Sequence, residues 1–190
     1  MKTRCSWVGT DQIYLDYHDT DWGVPEWDSR ALWEKLILDG FQAGLSWITI
    51  LKKRENFREA FAGFDPNVIA TWGEAEVEVL LQNAGIIRHR GKIEATITNA
   101  QAWQVIEQRE GFDKFLWDYV NGKPLQTNRK TMADVPAETE LSKQLSKDLK
   151  KAGFKFCGPT IVYAFMQAVG MVNDHALTCH RHAECKALGK

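Results

Sequence analysis

Apolar residues in this chain return every three or four positions, and no run bounded by turns alternates with period two. A helix can bury such a pattern on one face and a strand cannot, so the spacing predicts an all-α protein with essentially no sheet. Asp28-Ser29 can cap a helix running to about Ala43, with Leu32, Trp33, Leu36 and Ile37 as its apolar stripe. Another is expected from about Ser46, carrying Ile50, Leu51, Phe57 and Phe61. Asp65-Pro66 reads as a cap and a first-turn proline, and Gly73 punctuates before a helix over Glu74–Gln82. One long helix is predicted over Arg88–Glu107 with Ile93, Ile97, Ala100 and Val105 inward. A shorter one follows over Phe112–Val120, closed by Asn121-Gly122-Lys123-Pro124, and the polar stretch Leu125–Pro136 is expected to be loop. Leu141–Ala152 and Pro159–Val169 each run into a glycine, Gly153 and Gly170, where a helix can end.

At 190 residues the chain suffices for one large domain, or for two small lobes around a shared core. The net charge of −1 provides no global basic field, so any footprint on nucleic acid must be a local patch. Four cysteines do not make a disulfide framework in a chain this long and fit a reducing, cytoplasmic setting. Met1-Lys2-Thr3-Arg4 leads into no apolar signal segment, and no run is long enough to span a bilayer, so no membrane partner is expected.

Two cysteine–histidine pairs stand at opposite ends: Cys5 with His18, and His175 with Cys179. The second pair is spaced four apart, which on a helix puts both side chains on one face. Two thiolates and two imidazoles suit a closed tetrahedral Zn²⁺ shell, and such an ion would tie the termini together. Spacing alone leaves scattered buried cysteines and histidines as an equal alternative.

Two glycine-containing junctions are of interest, Asn83–Lys92 with its basic cluster and the short hairpin Gly153–Thr160. Free amides at the start of a helix after such a hairpin can hold a phosphate, and Lys147, Lys150, Lys151 and Lys155 add local positive charge. A plain turn between helices with a solvated basic face explains the same residues. The densest chemistry lies in Tyr14–Trp47, where aromatic residues alternate with carboxylates as a pocket for a flat, cationic group requires. Each aromatic face attracts a cation by ~0.5–2 kcal/mol, and a stacked base gains ~1–3 kcal/mol. Asp39 can accept hydrogen bonds from an amino-bearing ring; the alternative is that the aromatics fill a core and Asp39 is solvated.

Longer motifs carry a resemblance. C-x-W at Cys5–Trp7, YHDTDWGVP at Tyr17–Pro25, FQAGLSWITILKKRENFREAF at Phe41–Phe61, AGIIRHRGKI at Ala84–Ile93 and GFKFCGPTIVYAFMQAVGMVNDH at Gly153–His175 resemble the bacterial 3-methyladenine DNA glycosylase I family, in order along nearly the whole chain. The resemblance implies an all-helical helix-hairpin-helix DNA glycosylase, with two helical lobes around a base-binding cleft. It implies hydrolysis of the N-glycosidic bond of 3-methyladenine in alkylated double-stranded DNA. Matched position by position, one structural Zn²⁺ falls on Cys5, His18, His175 and Cys179, and the base-recognition residues on Tyr17, Asp39 and Trp47, walled by Trp7, Tyr14 and Trp22. His180, His182, Cys185 and Cys157 are left out of the metal site. Leu45 after Gly44 is the candidate wedge into the duplex, and Lys155, Gly158 and Thr160 belong to the hairpin that would face the backbone.

One position departs from the family, whose usual pocket acid is glutamate where this chain has Asp39. The side chain is shorter by one carbon–carbon bond, ~1.5 Å. That leaves three outcomes: a closer helix, a bridging water, or reduced affinity and selectivity for 3-methyladenine, and a glycosylase for a different alkylated purine is one alternative. A lesion-binding protein without turnover is the further alternative. Alkylation at N3 makes the purine cationic, so the leaving base needs no protonation, and the enzyme must evert the nucleotide and hold the base. Asp174 lies near the place where many such glycosylases carry a catalytic aspartate, but its neighbour His175 is claimed by zinc. No lysine is placed as a Schiff-base nucleophile, so hydrolysis without strand cleavage is predicted, by a monomer.

Overall fold

A computed structural model describes residues 2–189. Among them the chain is helical nearly throughout. Asp11 caps α1 (Gln12–Thr20) by accepting from the Ile13 N–H. Asp28 caps α2 (Ser29–Gln42) by accepting from the N–H groups of Arg30 and Ala31, and the expected stripe Leu32, Trp33, Leu36 and Ile37 is buried. The helix expected from Ser46 is two pieces, α3 (Trp47–Leu51) and α4 (Arg54–Ala60). The break at Lys52-Lys53 re-aims Phe57 and Phe61, which pack on Phe41 at ring separations of 4.7 and 5.7 Å. Asp65 caps α5 (Pro66–Ile69), and α6 (Glu74–Leu81) follows Gly73.

α7 (Arg90–Arg109) starts after His89, whose ring accepts the Lys92 N–H. Ile93, Ile97 and Ala100 are buried as expected, but Val105 is 63% exposed. It lies five residues past Ala100, about 140° around a helix of 3.6 residues per turn, and the inward face continues through Ala102, Trp103 and Ile106 instead. α8 (Phe112–Trp117) passes into a 3-10 turn and a left-handed Asn121. The stretch expected as loop contains a second 3-10 turn and a two-residue strand, β1 (Leu125–Gln126), parallel to β2 (Val172–Asn173). So short a strand has no room for alternation and leaves no sequence signal.

α9 (Glu140–Lys151) and α10 (Pro159–Ala168) form a helical hairpin and pack on each other. Asn99 of α7 fixes its turn: the side-chain amide donates to Lys155 O at 3.1 Å and its oxygen accepts from Lys155 N at 2.8 Å. Neither α1 nor α11 (His180–Leu188) was assigned from periodicity, because both sequences mix polar and apolar residues too evenly.

α2 is the hub, packed against α3, α7, α8 and α10. The main core lies on one side of it; a smaller cluster, including Cys5, Tyr17, Trp22, Leu51, Ala168 and Cys179, joins the chain ends. Trp47 packs against both. The segment before α2 is drawn onto the end of α10 by hydrogen bonds from Gly23 N to Ala168 O and from Glu26 N to Val169 O, each 3.1 Å. Gly170 (φ +72°) allows that approach, since a Cβ there would sit 2.5 Å from Pro25 N. No helix among the described residues is long and apolar enough to cross a membrane.

Candidate functional site

Cys5, His18, His175 and Cys179 converge: all four are buried, and their ligand atoms lie within 4.8 Å of one another. The Cys179 sulfur is 3.4 Å from His18 Nε2 and 3.5 Å from His175 Nδ1, and Cys5 Sγ is 3.6 Å from the same Nδ1. A tetrahedral ion with metal–sulfur bonds of about 2.3 Å and metal–nitrogen bonds of about 2.0–2.1 Å needs sulfur–nitrogen edges of about 3.6 Å. The cluster fits a metal ion on geometry alone.

The remaining ring nitrogens fix each imidazole. His18 Nδ1 is 2.8 Å from Asp19 Oδ1, and His175 Nε2 is 3.0 Å from the Trp22 carbonyl. Such partners set the tautomer that leaves the other nitrogen free to bind metal. Asp19 is itself held by Arg4 at 2.7 and 2.9 Å and by His180 at 3.1 Å. Of the two thiols, the hydrogen bond between them pulls Cys179 down and pushes Cys5 up. His175 and Cys179 do not share a helix, contrary to their spacing. The chain turns between β2 and α11, with Cys179 as the residue capping α11.

Beside the cluster lies a cavity of about 390 Å³, lined by Trp7, Tyr14, Tyr17, Trp22 and Trp47 with Lys35, Asp39 and Gln42 from α2 and Ala164, Gln167 and Ala168 from α10. Every sequence-predicted pocket residue is among these. The aromatic walls brace one another: Trp7 meets Tyr14 at 5.5 Å and Trp22 at 5.2 Å, both edge-on, and Tyr17 meets Trp47 at 5.5 Å. Asp39 is 2% exposed, so it is no solvated helix residue. Its Oδ1 accepts from Lys35 Nζ at 3.0 Å, while Oδ2 is buried with no hydrogen-bond partner among the described residues. Trp47 Nε1 is likewise buried without one. Both unsatisfied polar atoms belong to residues that line the aromatic cavity, and a buried polar atom without a partner is a place where a ligand can supply one. Burial raises the Asp39 carboxyl, an effect Lys35 opposes, and burial lowers the Lys35 amine. The Tyr17 phenol is pushed up by burial first and by Asp39 next.

The remaining candidates fall elsewhere. Gly44 (φ +81°) and the 41% exposed Leu45 form the turn between α2 and α3, outside the cavity. In the hairpin, Lys155 is exposed, Gly158 precedes the first turn of α10, and Thr160 Oγ1 lies 3.4 Å from Glu138. Asp174 is fully committed. Its carboxylate accepts from Thr127 and Tyr163 at 2.5 Å, from Gln167 at 2.9 Å and from Arg129 at 3.4 Å, holding β2 to its neighbours. Sequence reasoning missed Lys35 and Lys92. The first could have been found from its i, i+4 spacing to Asp39. Nothing local marks Lys92, whose Nζ donates to Phe41 O at 2.8 Å and Ala43 O at 2.6 Å and so pins the end of α2.

The sequence pattern of the methyladenine glycosylase family matches residues 7–182. DNA-3-methyladenine glycosylase 1 of Escherichia coli (strain K12) is 55% identical over 177 residues, which cover 93% of this chain and 95% of the relative. A crystal structure of 3-methyladenine DNA glycosylase I superposes with a TM-score of 0.92 at 56% identity, covering 94% of this chain and 98% of the other. A tyrosine-to-phenylalanine variant of 3-methyladenine DNA glycosylase I, solved in complex with 3-methyladenine, gives 0.91 at 42% identity over 93% and 96% of the two chains. A match of this extent, with the aromatic cavity and the Cys–His cluster formed by the residues that carried the resemblance, places the chain in the methyladenine glycosylase family.

Proposed function

We propose that the protein excises 3-methyladenine from alkylated DNA in base-excision repair, by everting the damaged nucleotide into the aromatic cavity. The observation that carries this reading is the pair of buried, unpartnered polar atoms, Asp39 Oδ2 and Trp47 Nε1, inside a cavity walled by aromatic rings. A purine stacked on Trp47 can donate its edge to Asp39 Oδ2, and the anionic oxygen suits a ring made cationic by N3 alkylation. Eversion costs a few kcal/mol of unstacking, which a flat cavity of this kind can return.

Chemistry then asks little of the protein. Water adds at C1′ and gives up a proton to solvent as the bond to N9 breaks, the bonding pair neutralises the ring, and 3-methyladenine leaves without protonation. Asp39 and Tyr17 read the base edge and Trp47 stacks. Lys35 is the amine nearest the base, and its ammonium is engaged by Asp39 and by the Trp47 ring. On this reading Lys35 stays a cation beside Asp39 and does not act as an amine nucleophile, and the reaction is hydrolysis without strand cleavage.

The Cys–His cluster would hold Zn²⁺, whose four protein ligands leave no position for water, so the ion supplies a cross-link between chain ends. Within one domain of two helical lobes, Leu45 is the element that fills the gap left in the duplex, and the hairpin at Lys155, Gly158 and Thr160 takes the DNA backbone. The hairpin end of α10 stands roughly 8–14 Å along the helix from its cavity residues Ala164–Ala168, at 1.5 Å per residue. The test is the base released from methylated duplex DNA. Release of 3-methyladenine is expected; release of another alkylated purine would reassign the substrate, and tight binding without release would make this a lesion-binding protein.

A further inference from the structure

The cavity already contains a cation of its own. Lys35 Nζ lies 3.5 Å from the centre of the Trp47 ring and 5.7 Å from that of Tyr17, while bonded to Asp39 Oδ1 at 3.0 Å. Stacked rings approach to about 3.5–4.0 Å between carbon atoms, so the ammonium occupies the layer that a base on Trp47 must take. Base and ammonium exclude each other. Lys35 also borders a second cavity of about 340 Å³ that shares Tyr17 and Trp47, whose walls carry Asp21, Glu26 and Glu34 together with Arg54 and Arg58, the arginines that pair with Asp21 and Glu34.

We propose that Lys35 is a specificity-determining residue of the base pocket, a tethered cation that yields the Trp47 face to the incoming base and sets the pocket against a positively charged ring. The inference rests on the glycosylase reading above and deepens it. With Lys35 paired to it, Asp39 presents one free oxygen and little net charge. A cationic purine must displace a cation that stays within reach and compete with it for the same carboxylate and the same ring. A neutral purine meets only the displacement. Since the substrate ring is cationic and the departing base is neutral, Lys35 weakens the bound ground state relative to the product-like one. Interactions that differ in this sense raise the rate of the chemical step, whereas uniform binding does not.

The experiment compares two ligands of nearly the same shape and different charge, 3-methyladenine and 3,9-dimethyladeninium, on wild type, Lys35→Met and Lys35→Arg, by quenching of tryptophan fluorescence. Lys35→Met is expected to tighten the cationic ligand at least tenfold more than the neutral one, and Lys35→Arg to keep the wild-type ranking. On methylated DNA the Met variant should show tighter half-saturation and a lower single-turnover rate constant. Lys35→Gln replaces Met if the Met protein melts early or loses metal. Equal change for both ligands in the Met or Gln variant overturns the inference, as does loss of the ranking in Lys35→Arg, which would mark a packing role. If wild type frees no base from methylated DNA, the glycosylase reading falls while the ligand ranking still judges Lys35. Failure of every protein to bind either ligand overturns both.

Discussion

Burial works against both charges of the Asp39–Lys35 pair, raising the carboxyl and lowering the amine. Because the folded pKa of Asp39 lies above its ordinary 3.8, its contribution to stability is full below that value and is lost as pH rises through the folded pKa. Lys35 lies below its ordinary 10.5, so its contribution is full above that value and is lost as pH falls through the folded pKa. At neutral pH neither charge favours folding, and on the proposed reading the pair serves the ligand. Asp39→Asn should therefore weaken binding of 3-methyladenine at least about tenfold, ~1.4 kcal/mol. Melting should shift by no more than about 2 °C, well under 1 kcal/mol in a chain this size. Fluorescence titration and a melting scan check both, and a fall of many degrees would make Asp39 a structural residue. Base release should also decline in acid with a midpoint above 3.8, in the direction burial pushes Asp39. A midpoint at or below that value would point to another anion. Asp39 was offered as a recognition residue by the family resemblance, and the structure buries it in the aromatic cavity. The i, i+4 spacing offered Lys35 as its partner, but that the pair is buried against Trp47 was not legible, because i, i+4 pairs on exposed helices look the same in sequence.

At the scale of elements, the caps were readable because they are local. Asp28, Asp65 and Pro159 stand within a turn of the groups they satisfy, and α2, α5 and α10 start where those residues predict. The break between α3 and α4 was not readable, since it answers to Phe41 and Phe64, with which Phe57 and Phe61 pack. The end of α2 depends on Lys92, fifty residues away in the chain, which takes the carbonyls of Phe41 and Ala43 just before the Gly44-Leu45 turn. Lys92→Met should cost about 2 kcal/mol, from two charged hydrogen bonds lost to partly hydratable carbonyls, and lower the melting temperature by about 4–8 °C. It should also weaken half-saturation on duplex DNA more than binding of the free base, because the turn carries Leu45 and lies outside the cavity. Equal losses for DNA and free base would detach that turn from the duplex.

Across the whole molecule the Cys–His cluster and the cavity are one construction. His18 follows Tyr17 on α1, Trp7 meets the His18 ring at 5.6 Å, and Trp22 meets His175 at 4.6 Å. Gly23 (φ +81°) makes room for this, since a Cβ there would lie 2.7 Å from His175 Nε2. Cys179→Ala should lower the melting temperature by at least about 8 °C, some 3 kcal/mol of metal-coupled folding energy. It should reduce metal content and, through Tyr17 and Trp22, loosen base binding. Metal analysis with a melting scan checks this, and unchanged melting would count against the clasp. By itself the sequence determined the helical class and the capped helix starts, which follow from periodicity and local capping, and its family motifs pointed to the aromatic wall and to Cys5, His18, His175 and Cys179. Only the tertiary structure decided that His175 and Cys179 meet across a turn, that Asp174 is spent on β2, and that Lys35 stands on Trp47. Those outcomes depend on which distant side chains share a buried space, and a linear pattern does not encode that.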